Sequence, residues 1–423
     1  MPIREGRGVL VIKGGRPLRG SIVTSGSKNA VLGAMAATLL VADDCLLTNV
    51  PRIGDVEQMA RVLRSLGAKV EWAGEHSLRI DASKLDESSP GEEVARSLRA
   101  SFLVMGALLS RLGETVCSAP GGDVIGLRPV DVHIAGFAAL GAETVEEGDR
   151  YAVRGRSLKG ASIFNDYPSV LGTQNLMLAA VCAKGRTRIV NAAAEPEVQG
   201  LAEMLRGMGA KVRGDGTHTV EVEGVDALHG TEYEVIPDRL EAGTFTIAAG
   251  VTGGEVEVRN ARPEHLTSLI HKLRECGMDV ACEGDRMSVR AAEVVRPVTI
   301  QALPYPGFAT DLQAPIAVLL TQAAGESRVQ ERVFDNRLLY VDELRKMGAM
   351  IETKDKTTAN ISGPARLRGA KVRALDVRAG AALILAGLAA EGTTEITDMH
   401  HVDRGYEAID DRLRSLGADI ERV

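Results

Sequence analysis

The sequence predicts an α/β protein built from six copies of one small module, grouped as two domains of three. Three observations carry this. A leucine- and glycine-bearing phrase recurs six times, as LRSLGAKV, AALGAETV, LRGMGAKV, LRECGMDV, LRKMGAMI and LRSLGADI. Its central glycines, Gly67, Gly141, Gly209, Gly277, Gly348 and Gly417, are spaced by 74, 68, 68, 71 and 69 residues. The spacing is longer than solenoid repeats and suits a compact α/β unit. Within each unit the order of elements is constant.

Each unit begins with a helix-length run of small apolar residues: NAVLGAMAATLL, ASFLVMGALLS, LGTQNLMLAAV, AGTFTIAAGV, LQAPIAVLLTQ and AGAALILAGLA. These runs are apolar on nearly all sides, so they are expected to be buried helices. Five run into a glycine, expected as the C-terminal cap. A strand follows, from CLLTNV in the first unit to TTEITDM in the last. After a loop comes an amphipathic helix. In 55–66 its apolar set is Val56, Met59, Ala60, Leu63 and Leu66, close to the 3, 4, 7 spacing of a helix face. Leu266, Leu269, Ile270 and Leu273 repeat the pattern. The central glycine caps this helix, and another strand runs on. Two similar domains with inner helices and outer sheets would face each other across a cleft, a usual ligand site.

Composition narrows the function. The chain has 423 residues, 45% hydrophobic and 25% charged, as in ordinary globular proteins. A net charge of −7 argues against broad nucleic-acid binding, and 3% aromatics leave few stacking platforms. The five cysteines form no CxxC pair and no metal-ligand spacing, which suits a reducing compartment. The N-terminus lacks an apolar signal run, and no apolar run approaches the roughly 18 residues that span a bilayer. A cytoplasmic location without membrane insertion is expected; oligomeric state is open. The sequence has no Walker motif, no GxGxxG after a strand, no HExxH and no GxSxG, so no nucleotide, metal or other cofactor is expected. His133 and the His400–His401 pair are read as local hydrogen-bonding residues.

Charged and polar residues collect at two corners of the repeat. The first is the start of the buried helix: Lys28 with Asn29, Arg99, Ser169, Asp238 with Arg239, Asp311 and Arg378. The second is the loop before the amphipathic helix: Asp55, Arg128, Glu195, Arg262, Arg337 and Arg404. Helix N-termini attract anions, and a cation there is disfavoured unless an anion arrives. Lys28, Arg99 and Arg378 therefore read as ligand clamps. So many cations suit a substrate bearing phosphate and carboxylate. Taken singly, Asp55, Ser169 and Asp311 are better explained as N-caps than as catalytic residues. For Arg128, Arg337 and Arg404 the alternative is a solvated arginine or an ion pair with Asp131, Asp335 and Asp403. A further stretch, PGGDVIGLRPVD over 120–131, sets Asp123 in a glycine-rich turn beside Arg128.

Together SGSKNA (25–30), LRAS (98–101), PGGDVIGLRPVD (120–131), PDRLEAGTF (237–245), ATDLQAP (309–315), FDNR (334–337), DVRAGA (376–381) and HVDRGYE (401–407) resemble the bacterial UDP-N-acetylglucosamine enolpyruvyl transferases over essentially the whole chain. The resemblance implies two inverse α/β barrel-like domains, 27–236 and 1–26 with 237–423, and a mobile loop near 118–127. It implies transfer of enolpyruvate from phosphoenolpyruvate to the 3-hydroxyl of UDP-N-acetylglucosamine, the first committed step of peptidoglycan synthesis. By position, Lys28, Arg128 and Arg404 hold the phosphate, while Arg337 and Arg378 serve the carboxylate and closure. Asn29, Arg99, Asp131 and Ser169 contact the nucleotide sugar, with Val333 also in the substrate set. Asp311 is the candidate general base.

Two departures stand out. Asp123 occupies the loop position that is usually a cysteine, as candidate proton donor to C3 of phosphoenolpyruvate. A carboxylate is a poorer partner for an epoxide than a thiolate, so fosfomycin resistance is expected. In DYPSVLGTQN (166–175), Tyr167 and Leu171 replace a basic residue and a glycine of many relatives, which leaves another uridine nucleotide open as the acceptor. An inactive UDP-sugar-binding regulator is the third reading.

Overall fold

Runs of alanine, leucine and glycine with no polar face become helices that water does not reach. In the computed structural model, which describes residues 8–119, 121 and 129–423, they are Lys28–Ala37, Val104–Leu112, Val170–Ala180, Arg239–Val251, Gln313–Leu320 and Val377–Ala389. The described residues divide into two units: 26–119, 121 and 129–236 form one, and 8–25 with 237–423 form the other. Each unit has its own apolar core. The first three helices pack on one another in the first unit, and the last three do so in the second.

Small residues permit that approach. A Cβ at Gly106 would stand 2.3 Å from the Asn175 carbonyl oxygen on the neighbouring helix. Four of these helices begin with a side-chain cap at the repeat-equivalent position. Ser27, Ser169, Asp238 and Asp376 each accept a backbone N–H from the first turn, satisfying donors that no helix can satisfy internally.

The amphipathic runs form the second helix of each module: Gly54–Ser65, Asp131–Ala139, Pro196–Gly207, Thr267–Glu275, Tyr340–Lys346 and Ile409–Ser415. Each ends at its central glycine. All six glycines are left-handed, with φ between +91° and +100°, where a side chain would be strained. The glycines after the buried runs behave differently. Gly113 and Gly253 end their helices, whereas Gly185, Gly325 and Gly392 turn the chain into the following strand. They are strand-entry residues rather than helix caps.

Among the described residues the strands form six small sheets; five are mixed, and that of Glu114–Ser118, Arg150–Arg154 and Glu143–Glu147 is antiparallel throughout. In the sheet built on Arg186–Val190, Ser162–Phe164 runs parallel on one side and Thr219–Glu223 antiparallel on the other. Strand-to-corner transitions use a left-handed asparagine. Asn49, Asn191 and Asn260 have φ of 53°, 56° and 50°. Their side-chain amides donate to the carbonyls of Val235, Asn165 and Thr24, at 2.7, 2.8 and 2.8 Å. Each amide thus ties the corner to the end of the neighbouring parallel strand.

The N-terminal strands complete sheets of the second unit. Arg19–Val23 runs parallel to Glu255–Arg259. Leu10–Lys13 lies between Thr393–Thr397 and Asp419–Arg422, antiparallel to both. No helix among the described residues is long and apolar enough to cross a membrane.

Candidate active site

The fold brings the two corners of a module together. In the first module, Lys28 opens the inner helix and Asp55 lies in the first turn of the amphipathic helix. Lys28 Nζ meets Asp55 Oδ2 at 2.8 Å, and the Asp55 side chain is only 2% exposed. In the fifth module the charges are exchanged. Arg337 Nη2 donates to Asp311 Oδ1 at 3.0 Å. Asp55 and Asp311 are therefore ion-pair partners, and neither caps a helix. Ser169 does cap: its Oγ accepts from Gly172 N at 3.1 Å.

In the second unit Asp311 is held from two sides. Arg378 Nε donates to the same Oδ1 at 3.0 Å. The side chains of Arg337 and Arg378 are 7% and 5% exposed, against 27% for Asp311. Burial pushes the Asp311 pKa up, but the guanidiniums of Arg337 and Arg378 outweigh it and hold the carboxyl below the usual range. Asp376 caps the helix that carries Arg378, accepting from its N–H at 2.7 Å. Arg378 Nη1 is buried without a hydrogen-bond partner among the described residues, and the guanidinium carbon lies 5.2 Å from the Tyr406 ring centre. Arg337 turns to Asp311 and Thr310, while Asp403 takes both terminal nitrogens of Arg422, at 2.6 and 2.8 Å. Arg404 follows the short helix His400–Asp403 and is half-buried. Val333 is 37% exposed, with its N–H given to Glu331.

In the first unit Asn29 is half-buried in the first turn of Lys28–Ala37. Arg99 Nη2 donates to Pro129 O at 3.3 Å. Tyr167 donates its hydroxyl to Asp131 Oδ1 at 2.9 Å. Burial first, and then that hydrogen bond, pushes the Tyr167 pKa up to about 12, so the hydroxyl keeps its proton. Behind Arg99, His133 is buried beside Asn175. Asn175 Oδ1 accepts from Gly106 N at 2.7 Å, so its amide nitrogen donates to Phe102 O and to His133 Nδ1, each at 2.9 Å. Burial, with the Arg99 charge adding to it, pulls the His133 pKa down to about 3. The ring is a neutral local hydrogen-bonding group. Asp123 and Arg128, with most of the loop 118–127, lie outside the described residues.

A carboxylate gripped by two buried arginines, one with an unspent donor, is an arrangement for an anionic substrate. The chain matches the EPSP synthase (3-phosphoshikimate 1-carboxyvinyltransferase) family over residues 12–413. It belongs to that family. Among its relatives in the family is the UDP-N-acetylglucosamine 1-carboxyvinyltransferase 3 of Caldanaerobacter subterraneus subsp. tengcongensis, 46% identical, with 98% of this chain and 99% of the relative covered. The UDP-N-acetylglucosamine 1-carboxyvinyltransferase of Halothermothrix orenii is 48% identical, with 98% and 100% covered. The enolpyruvyl transferase NikO from Streptomyces tendae has the same fold, with a TM-score of 0.89 at 25% identity over 99% of both chains. EPSP synthase from Acinetobacter baumannii shares the fold at a TM-score of 0.77 and 18% identity, with 99% of this chain and 100% of that one covered.

Sequence reasoning about this EPSP synthase family member missed Thr310 and Glu331. Thr310 Oγ1 accepts from Arg337 Nη1 at 2.8 Å and donates to Glu331 Oε2 at 2.6 Å. The signal was present: Ser327, Val329 and Glu331 alternate inward along one strand, and a carboxylate is a costly choice for such a position.

Proposed function

We propose that this protein transfers the enolpyruvyl group of phosphoenolpyruvate to the 3-hydroxyl of UDP-N-acetylglucosamine, releasing phosphate, as the first committed step of peptidoglycan synthesis. Residues 27–236 act as one enolpyruvyl transferase domain, and 1–26 with 237–423 as the other. The observation that carries this reading is the Asp311–Arg337–Arg378 cluster with its unspent Arg378 Nη1 donor. The near-full-length likeness to curated UDP-N-acetylglucosamine 1-carboxyvinyltransferases supplies the substrates.

Protonation at C3 of phosphoenolpyruvate makes C2 an electrophile. The sugar hydroxyl oxygen bonds to C2 as its proton passes to Asp311. A methyl proton then returns to the Asp123 carboxylate as the bond from C2 to the phosphate oxygen breaks; the enol ether and inorganic phosphate are the products, and the hydroxyl proton on Asp311 leaves with the phosphate. In this reading Asp123 is the donor to C3. Lys28, Arg128 and Arg404 balance the charge on the departing phosphate, and Arg337 and Arg378 take the carboxylate. Asn29, Arg99, Asp131, Ser169 and Val333 hold the nucleotide sugar. Asp311 is a weak base while both arginines are spent on it. A substrate carboxylate drawing on the same guanidiniums would raise its basicity as the substrate arrives.

The test is phosphate release from phosphoenolpyruvate with and without UDP-N-acetylglucosamine, for the wild type beside Asp123→Ala. Release is expected only with the sugar nucleotide, and the variant is expected to lose it. Absence of wild-type release with this acceptor, followed by release with another uridine nucleotide, would change the acceptor. The Asp123 side chain is expected to form no covalent adduct with fosfomycin, as read by intact mass.

A further inference from the structure

Glu331 closes the strand Gly325–Glu331 pointing inward, and the residue is 2% exposed. Its carboxylate accepts from Thr310 Oγ1 at 2.6 Å and from the N–H groups of Val333 and Phe334 at 2.7 and 3.2 Å. The direction of this relay follows from the donor inventory. An arginine has only donors, so Thr310 Oγ1 must accept from Arg337 Nη1, at 2.8 Å. The single threonine hydroxyl proton is then committed to Glu331. The other arm of Arg337 goes to Asp311 Oδ1 at 3.0 Å. The guanidinium carbon lies 5.2 Å from the Phe334 ring centre. One buried carboxylate therefore aims the guanidinium through Thr310 and folds the turn carrying Val333 and Phe334 beside it. A buried acid placed only to fill space would be better replaced by an apolar residue. Here the Glu331 carboxylate is tied through Thr310, the residue before Asp311, to the guanidinium that grips Asp311.

We propose that Glu331 and Thr310 are positioning residues for enolpyruvyl transfer, holding the Arg337 guanidinium against Asp311 so that base and cation meet the substrates in register. The inference rests on the transfer reading above and adds two residues that the reading did not contain. Neither Glu331 nor Thr310 touches a reacting atom.

The experiment compares wild type, Thr310→Val and Thr310→Ser in steady-state phosphate release, with crystal structures of the wild type and Thr310→Val. Valine keeps the shape and removes the hydroxyl. The expected result is a fall in kcat of about 10²-fold for Thr310→Val, as for other small misplacements of reacting groups. The KM for the sugar nucleotide should stay near wild type, the melting temperature should fall modestly because Arg337 and Glu331 each lose a buried partner, and Thr310→Ser should recover both kcat and melting temperature. A Thr310→Val enzyme with wild-type kcat would overturn the proposal, as would a loss that serine fails to rescue. If the wild type itself releases no phosphate, the transfer reading fails alone, and the crystal structures decide the positioning role. Displacement of the Arg337 guanidinium from Asp311 in Thr310→Val supports it; an undisturbed pair overturns it.

Discussion

At the scale of single residues, the electrostatics of two groups make the same demand on pH over different ranges: both stabilise less as pH falls. Asp311 has a folded pKa below its unfolded value, which lies near 3.9. Its stabilising contribution is thus present above that value and is lost as pH falls through the folded pKa. Asp311→Asn leaves two nearly buried guanidiniums without their carboxylate. We expect a loss of about 3 kcal/mol, the low end for a broken buried pair because Asp311 keeps 27% side-chain exposure. In denaturant melts the gap to wild type should be constant from about pH 5 to 8 and close below about pH 4. The same variant should lose about 10²–10⁴-fold in kcat if Asp311 is the base. His133 acts in the same direction but over a higher pH range. Its folded pKa is pulled down to about 3, while the unfolded ring titrates near 6.5. The unfolded chain therefore takes up the proton first, and stability falls as pH drops from about 6.5 towards 3, by up to about 1.4 kcal/mol per pH unit. Melts between pH 5 and 7 should show that slope in the wild type and a flatter one in His133→Gln.

At the scale of elements, two glycines separate strain from crowding. Gly141 ends its helix at φ +91° with nothing within 4 Å of a built Cβ. Gly141→Ala should therefore cost only the left-handed strain, about 1–2 kcal/mol. Gly106 lies inside an inner helix with the Asn175 carbonyl oxygen 2.3 Å from a built Cβ. Gly106→Ala forces two helices apart and should cost about 3 kcal/mol or more. Thermal melts of the two variants, side by side, check the order. Ser169→Ala should cost about 1 kcal/mol through the lost cap alone. A larger effect on sugar-nucleotide affinity than on stability would mark the second role proposed for that residue.

At the scale of the molecule, the N-terminal strands are part of the second unit's sheets. Leu10–Lys13 fills the place between Thr393–Thr397 and Asp419–Arg422, and Arg19–Val23 extends the sheet of Glu255–Arg259. Ser25 N–H donates to the buried Glu241 carboxylate at 2.8 Å, and Arg412 pairs with the other oxygen of that carboxylate at 2.7 Å. A fragment of residues 237–423 would leave unpaired edges on three strands, Thr393–Thr397, Asp419–Arg422 and Glu255–Arg259, and an open core. It should give a broad thermal transition and bind a hydrophobic dye, whereas 26–236 should unfold cooperatively. Both fragments are readily compared by circular dichroism.

The sequence by itself determined the repeat, the inner helices, the amphipathic helices and their terminal glycines. Each of these is written locally: burial recurs at the period of its own element, and a left-handed helix end selects glycine wherever it occurs. It also located the corner at which Lys28 meets Asp55 in the first unit and the corner at which Asp311, Arg337 and Arg378 gather in the second. Which charge meets which was decided only by the tertiary structure. Asp311 finds Arg337 across 26 residues and Arg378 across 67, and Glu331 reaches Thr310 across 21. An acid or hydroxyl at the start of a helix can cap it, as Ser169 does, or turn away to a cation, as Asp55 and Asp311 do. The local pattern is the same in both cases. The choice depends on whether a guanidinium or ammonium from another element arrives within hydrogen-bond distance, and packing between elements, not periodicity along the chain, sets that distance.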